Sequence, residues 1–230
     1  RSARRISELQ EQLCSAQQDL TSLTSLDNEG FIRAYLVCGP IPIDQKVDNH
    51  DEDSTRELLD RSYVPADSTP KDGDVAAING LTRNWKAIQT TDYYVDLASV
   101  AEQQELDSEH AAYIGVAYVT SETEVTDVRL SIGSDDDSVW RVNGKEVIRS
   151  YGGRGVDKDQ NTADGITLKQ GVNVLSFTVL NGSGPTAAAA RFLDQDGNAI
   201  SGLKVSLTPP TPAVAQTDNS EQPGTETPAK

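Results

Sequence analysis

Three aspartates stand in a row, Asp135, Asp136 and Asp137, directly before the β-forming run Ser138-Val139-Trp140-Arg141-Val142. Adjacent carboxylates repel one another unless they are solvated or gathered round a cation. Calcium takes roughly six to eight oxygens, backbone carbonyls included, and suits an acidic turn of this kind. An exposed acidic turn at the start of a hairpin is the competing reading. Downstream, residues 150–161 read SYGGRGVDKDQN. Arg154, Asp157, Asp159 and Gln160 offer charged or planar hydrogen-bonding groups there, and Tyr151 offers an aromatic face. Sugar recognition uses this combination, polar groups for paired hydroxyls and an aromatic ring for the apolar face of the sugar. A structural role competes with it, in which Arg154 bonds Asp157 or Asp159 and pins a long connection.

Other chemistry finds little support. The sequence holds two histidines and two cysteines with no close Cys/His spacing, so a zinc site or a cysteine nucleophile is not indicated. Cys14 and Cys38 either pair or remain separate thiols, since connectivity cannot be read from sequence. Asp48, His50, Asp51, Glu52 and Asp53 read as a solvated acidic loop. Asp194-Gln195-Asp196-Gly197-Asn198 has the look of a calcium loop, but its twelfth position is Val205 instead of a glutamate, so it reads as a hairpin turn. No Gly-x-Ser-x-Gly, phosphate loop or His-Glu-x-x-His occurs. The expectation is a protein that is not an enzyme.

The elements that must position these groups are strands. From residue 111 onward, β-rich runs alternate with turn signals, at 112–120, 125–132, 138–142, 146–149, 165–168, 172–180, 187–194 and 199–207. That spacing predicts an all-β antiparallel sandwich, because strands joined through parallel crossovers need intervening helices. Asn143-Gly144 predicts a type I′ hairpin with Trp140 facing Val147. On that geometry the acidic triplet leads into the hairpin and the 150–161 loop leads out, so both lie at its open end. Upstream, a β run at 31–37 is expected to stop at Gly39-Pro40, and Ser54-Thr55-Arg56-Glu57 reads as a capping box for a short helix through Leu59.

Composition divides the chain into three. Over residues 1–29, Ile6, Leu9, Leu13, Ala16, Leu20 and Leu23 recur at heptad spacing, predicting an amphipathic helix, either a short coiled coil forming a homo-oligomer or a helix packed on its own domain. Residues 30–207 form the folded body. Residues 208–230, rich in proline and threonine without apolar periodicity, read as a disordered tail. Twenty basic against 36 acidic residues give a net charge of −16, which disfavours nucleic acid and anionic membrane surfaces as partners. No run of roughly 18 apolar residues is present to make a transmembrane segment. A chain that opens on Arg1 and contains no methionine is expected to be a processed piece of a longer protein.

Several motifs together resemble the carbohydrate-binding-like jelly-roll sandwiches of secreted bacterial proteins, such as β-galactosidase-type sugar-binding domains and protective-antigen-type lectin domains. They are Ser134-Asp135-Asp136 followed by the strand into Asn143-Gly144-Lys145, then Leu168-Lys169-Gln170-Gly171-Val172-Asn173, Asp194 to Gly197, Cys38-Gly39-Pro40, Trp85-Lys86 and Tyr94-Val95-Asp96-Leu97. The resemblance spans nearly the whole of 30–207. It implies that Asp135 and Asp136 hold Ca2+, which in turn grips sugar hydroxyls, and that Arg154 and Asp157 lie in a ligand-binding loop. Asp137 departs from the pattern, where many relatives have glycine. The reading is therefore an extracytoplasmic, non-catalytic module whose partner is a glycan or glycosylated surface. The alternative is a protein-interaction sandwich oligomerised through Ile6, Leu9, Leu13, Leu20 and Leu23; the low aromatic content of 5% favours that rival.

Overall fold

A computed structural model describes residues 5–6, 25–65 and 68–210. The expected N-terminal helix lies outside this range except for Arg5 and Ile6, which are helical, and the tail lies outside it beyond Pro210. In chain order the elements are β1 (Ala34–Pro42), α1 (Glu52–Asp60), β2 (Val75–Ile78), β3 (Leu81–Gln89), β4 (Val95–Asp96), α2 (Ala98–Glu102), β5 (Ala111–Ser121), β6 (Val125–Asp135), β7 (Asp137–Val142), β8 (Lys145–Ser150), β9 (Asn161–Leu168), β10 (Gly171–Asn181), β11 (Ala187–Leu193) and β12 (Lys204–Ser206). The strands pair antiparallel into two sheets. The larger, eight-stranded sheet runs β2-β3-β1-β5-β10-β7-β8 with β12 against β5, and the four-stranded sheet runs β4-β11-β6-β9. The chain is an all-β sandwich.

Alternation along the strands explains the layering. Tyr113, Ala117 and Val119 of β5, Leu175, Phe177 and Val179 of β10, and Leu130 and Ile132 of β6 point inward with Trp140 into one core between the sheets. The intervening residues of the large sheet, Ile114, Val116, Tyr118, Val139 and Leu180, face outward. They are covered by Leu58 and Leu59 of α1 and by Tyr63, forming a second apolar layer. The central strands β1 and β5 of the large sheet are thus buried on both faces, which accounts for β5 being apolar almost throughout.

Four local expectations are corrected. The β run does not stop at Gly39-Pro40; β1 continues to Pro42, and the pairing of β1 with β5 shifts between Cys38 and Ile41. A register shift is where a strand tolerates a proline, since no ladder donor is required there. α1 is capped by Asp51, whose carboxylate accepts from Ser54 N at 2.9 Å, three residues ahead of the expected cap. Asp caps as well as Ser does, and this start puts Glu52 and Asp53 in the first turn, where the helix dipole favours acids. Asn143 (φ 53°) and Gly144 (φ 78°) make the expected I′ turn, yet Trp140 faces Ile148 instead of Val147 because the register slips between Trp140 and Arg141. The last strand is also shorter than the 199–207 run suggested, pairing only over Lys204–Ser206.

Candidate functional site

The acidic triplet is the corner where the chain changes sheets. Asp135 ends β6 and pairs with Ala187 in the small sheet, whereas Asp137 opens β7 and pairs with Leu180 in the large one. Only Asp136 lies between them, joined to its neighbour by a cis Asp135–Asp136 peptide. Two of the carboxylates are satisfied by N–H donors from three other segments. Asp137, fully buried, accepts from Gly152 N at 2.6 Å and from His50 Nδ1 at 3.0 Å. Asp136 accepts from Arg154 N and from Gly182 N, each at 3.1 Å, and His50 Nε2 lies 3.5 Å from it. The closeness of this packing is visible at Gly182, where a Cβ would stand 2.6 Å from both His50 Nε2 and Val47 O.

Asp135 is different. Its side chain meets the Asp136 carboxyl, and burial together with the Asp136 charge pushes its own carboxyl up to about 7, against a smaller opposing pull from His50. An unsatisfied polar group lies close by in the sequence. Asn181 is one residue beyond Leu180, the cross-strand partner of Asp137, and its Oδ1 is buried with no hydrogen-bond partner. The Nδ2 of the same side chain donates to Ser108 O at 2.8 Å and Gly184 O at 3.3 Å, which orients the amide. A desolvated carboxyl pair and an orphaned amide oxygen are donors that fit a hard cation such as calcium. Among the described residues, no group of three or more His, Cys, Asp and Glu side chains is arranged to hold a metal ion, so any such ion would depend on Asn181 and backbone oxygens as well.

The 150–161 loop leaves the hairpin beside this corner and crosses the outer face of the small sheet to reach β9. Arg154 donates through Nη2 to Asn161 Oδ1 at 2.6 Å and to Ser134 Oγ at 3.4 Å, and through Nε to Ser134 O at 3.3 Å. Its partners are therefore neither Asp157 nor Asp159, but the strand underneath. Gln160 accepts from Ser134 N at 3.0 Å and donates to Gly155 O at 2.8 Å. Asp159 accepts from Ser131 Oγ at 2.5 Å and from both Arg191 Nε and Nη2. Burial would raise its pKa, but these hydrogen bonds outweigh it and hold the carboxyl below the usual range. Asp157 remains exposed and accepts only from Lys158 N at 2.7 Å. Tyr151 packs its ring with the apolar layer beneath α1, and its hydroxyl bonds Arg149. Gly133 is what lets the loop lie so close, since a Cβ there would stand 2.0 Å from Asp157 O.

The structure thus brings Asp135, Asp136, Arg154 and the start of the loop together at one end. Arg154, Asp159 and Gln160 hold the loop to the sheet, and Tyr151 lies on the face toward α1. Sequence reasoning missed His50, Asn181 and Gly182. Asn181-Gly182 carries a turn signal at a strand end, which could have marked it. Nothing local marks His50, which reaches the corner from 86 positions before Asp136 (136 − 50). Asp48, Asp51, Glu52 and Asp53 are exposed, as expected of a solvated acidic loop, and His50 alone turns in to pack against the 150–161 loop and the corner. Cys38 is a buried thiol whose pKa burial pushes up to about 12.

No family model matches the sequence, and no curated protein matches it. Among solved structures, a β-glucosidase from Kluyveromyces marxianus is similar over 76% of this chain at 13% identity and a TM-score of 0.40, and its complex with glucose over 78% at 12% identity and the same TM-score. The chain spans 18% of that enzyme's length. The PA14 domain of the MpAFP antifreeze protein is similar over 80% of this chain and 94% of its own length, at 14% identity and a TM-score of 0.40.

Proposed function

We propose that this chain is a non-catalytic, extracytoplasmic binding module that recognises carbohydrate at the Asp135–Asp136 corner, as part of a larger protein or assembly. The observation that carries this reading is the meeting of the Asp135–Asp136 carboxyl pair and the 150–161 loop at one end of the sandwich, fastened by the hydrogen bond from Arg154 N to Asp136. Asp135, Asp136 and Asn181 are the residues that would hold calcium. When bound, calcium supplies a centre that grips neighbouring sugar hydroxyls. Arg154 and Gln160 set the shape of the loop, and Asp157 is left to accept from a sugar hydroxyl. Asp159 braces the loop from beneath through Arg191. Affinity is expected between about tens of micromolar and millimolar, because each exposed hydrogen bond to a sugar contributes little net free energy.

A glycan array read with calcium and with chelator tests the proposal, using wild type, Asp135→Asn and Asp157→Ala. Calcium-dependent binding that is lost in Asp135→Asn and weakened in Asp157→Ala is the expected result. Binding absent in wild type, or indifferent to both substitutions, would assign the module to protein interaction. One observation favours that rival: both tryptophans, Trp85 and Trp140, are buried in the core and present no face to a sugar ring.

A further inference from the structure

We infer that the outer face of the large sheet carries a second small-ligand site, which takes a compact organic monocarboxylate with an apolar body, seated on Arg141. A pocket of about 560 Å³ lies between residues Asp60 to Pro65 with Ser68 and Thr69 on one side and strands β5, β7 and β10 on the other, and it reaches the Asn143-Gly144 turn. It therefore lies toward the end of β7 opposite the Asp135 corner. The volume is in the range that holds ligands of drug-like size.

The sheet register sets the floor of this pocket. Ser176 pairs with Val116 on one side and with Arg141 on the other, so the three side chains form one row across the outer face. The neighbouring row begins with Ile114 and Thr178, and Val174 follows Ser176 on the other side. The result is an apolar floor crossed by one guanidinium and flanked by hydroxyls. Among the described residues, neither the Arg141 side chain nor the Ser176 hydroxyl has a hydrogen bond or ion pair.

The charges around Arg141 are already committed elsewhere. Its cross-strand partner Glu146 gives both carboxylate oxygens to Arg149, at 2.9 and 2.8 Å. Asp60, at the pocket wall, pairs with the same Arg149 at 2.8 Å. Arg61 is taken by Asp44 at 2.8 Å. Among the described residues, Arg141 is half-buried and, like Arg83 and Arg154, makes no ion pair with a carboxylate, but unlike them it has no carbonyl or amide oxygen as a partner either. A guanidinium presents parallel N–H donors that match a carboxylate, and Ser176 stands next to it to donate to the same oxygens. Ile114, Val116 and Val174 supply the surface for an apolar body.

Titration calorimetry on the full chain tests this with 2-naphthoate and its neutral counterpart 2-naphthamide. The expected result is that the acid binds more tightly than the amide, and that Arg141→Leu weakens the acid by about tenfold or more and abolishes the preference. Val174→Glu, which places a carboxylate on the floor, should likewise reject the acid under conditions where circular dichroism shows the variant folded. Asp135→Asn should leave naphthoate binding unchanged, which separates this site from the sugar-binding corner. Equal binding of acid and amide, undiminished binding by Arg141→Leu, or no binding of either ligand by wild type would overturn the inference.

Discussion

At the scale of single residues, Asp135 is the most informative group. Its carboxyl is raised to about 7 in the folded state, against an ordinary value of 3.8. A carboxyl with a raised pKa binds its proton more tightly when folded, so its contribution favours folding below about pH 4 and is lost as pH rises toward 7. Because the group is only half-buried, solvent screening reduces the effect to about 1 to 2 kcal/mol. In chelator, Asp135→Asn is therefore expected to be more stable than wild type by about that amount at pH 8 and nearly equal to it at pH 4. Urea unfolding at the two pH values measures this directly. A constant difference between the proteins would mean that the carboxyl titrates normally. Asp136 and Asp137 each already accept two N–H bonds, Asp136 from Arg154 and Gly182 and Asp137 from Gly152 and His50.

At the scale of elements, the decisive relation is between the 150–161 loop and strand β6 beneath it. The loop has no ladder of its own before Asn161, so its position rests on Arg154, Gln160 and Asp159 side chains that reach Ser134, Ser131 and Asn161. All of these depend on the absence of a side chain at Gly133. Gly133→Ala would place its Cβ 2.0 Å from a backbone oxygen, which no rotamer change can relieve. The substitution is expected to destabilise the protein by about 2 to 3 kcal/mol and to raise hydrogen exchange in residues 152–160 ahead of the sheets. Exchange mass spectrometry would show this; unchanged protection in the loop would mean that it is not seated through Gly133. At the other face, α1 covers the large sheet with Leu58 and Leu59, and Asp51 holds its first turn.

For the whole molecule, the charge of −16 and the two-faced burial of the large sheet's central strands set the behaviour in solution. The acidic surface keeps copies of the sandwich apart. Any self-association is therefore expected to come from the heptad segment of Ile6, Leu9, Leu13, Leu20 and Leu23. Ile6, the one member of that seam among the described residues, is 56% exposed. The full chain should sediment as a species larger than a monomer, and a version starting at Ser25, the first buried residue of the body, as a monomer. Two monomers at high concentration would reduce the segment to a tether.

The strands and their type were legible in the sequence, because alternation and turn residues are local signals. β5, β6, β7, β10 and β11 fall where apolar alternation placed them, and Asn143-Gly144 marked its own turn through the positive φ that both residues adopt. The adjacency of the acidic triplet and the 150–161 loop was legible too, since one hairpin joins them and Ser138 pairs with Ser150 at its open end. What the side chains do there was not. A bulge depends on how two strands twist against their neighbours, so the Trp140 partner could not be read from the turn alone. Pro40 could continue a strand only because the pairing shifts register around it. His50 meets Asp137, and Arg154 meets Ser134 and Asn161, only after loops distant in the chain are packed on one corner. Local periodicity determined that this protein is a sandwich of antiparallel strands. Long-range packing decided which polar groups are used to hold it together and which, such as Asn181 Oδ1, are left without a partner.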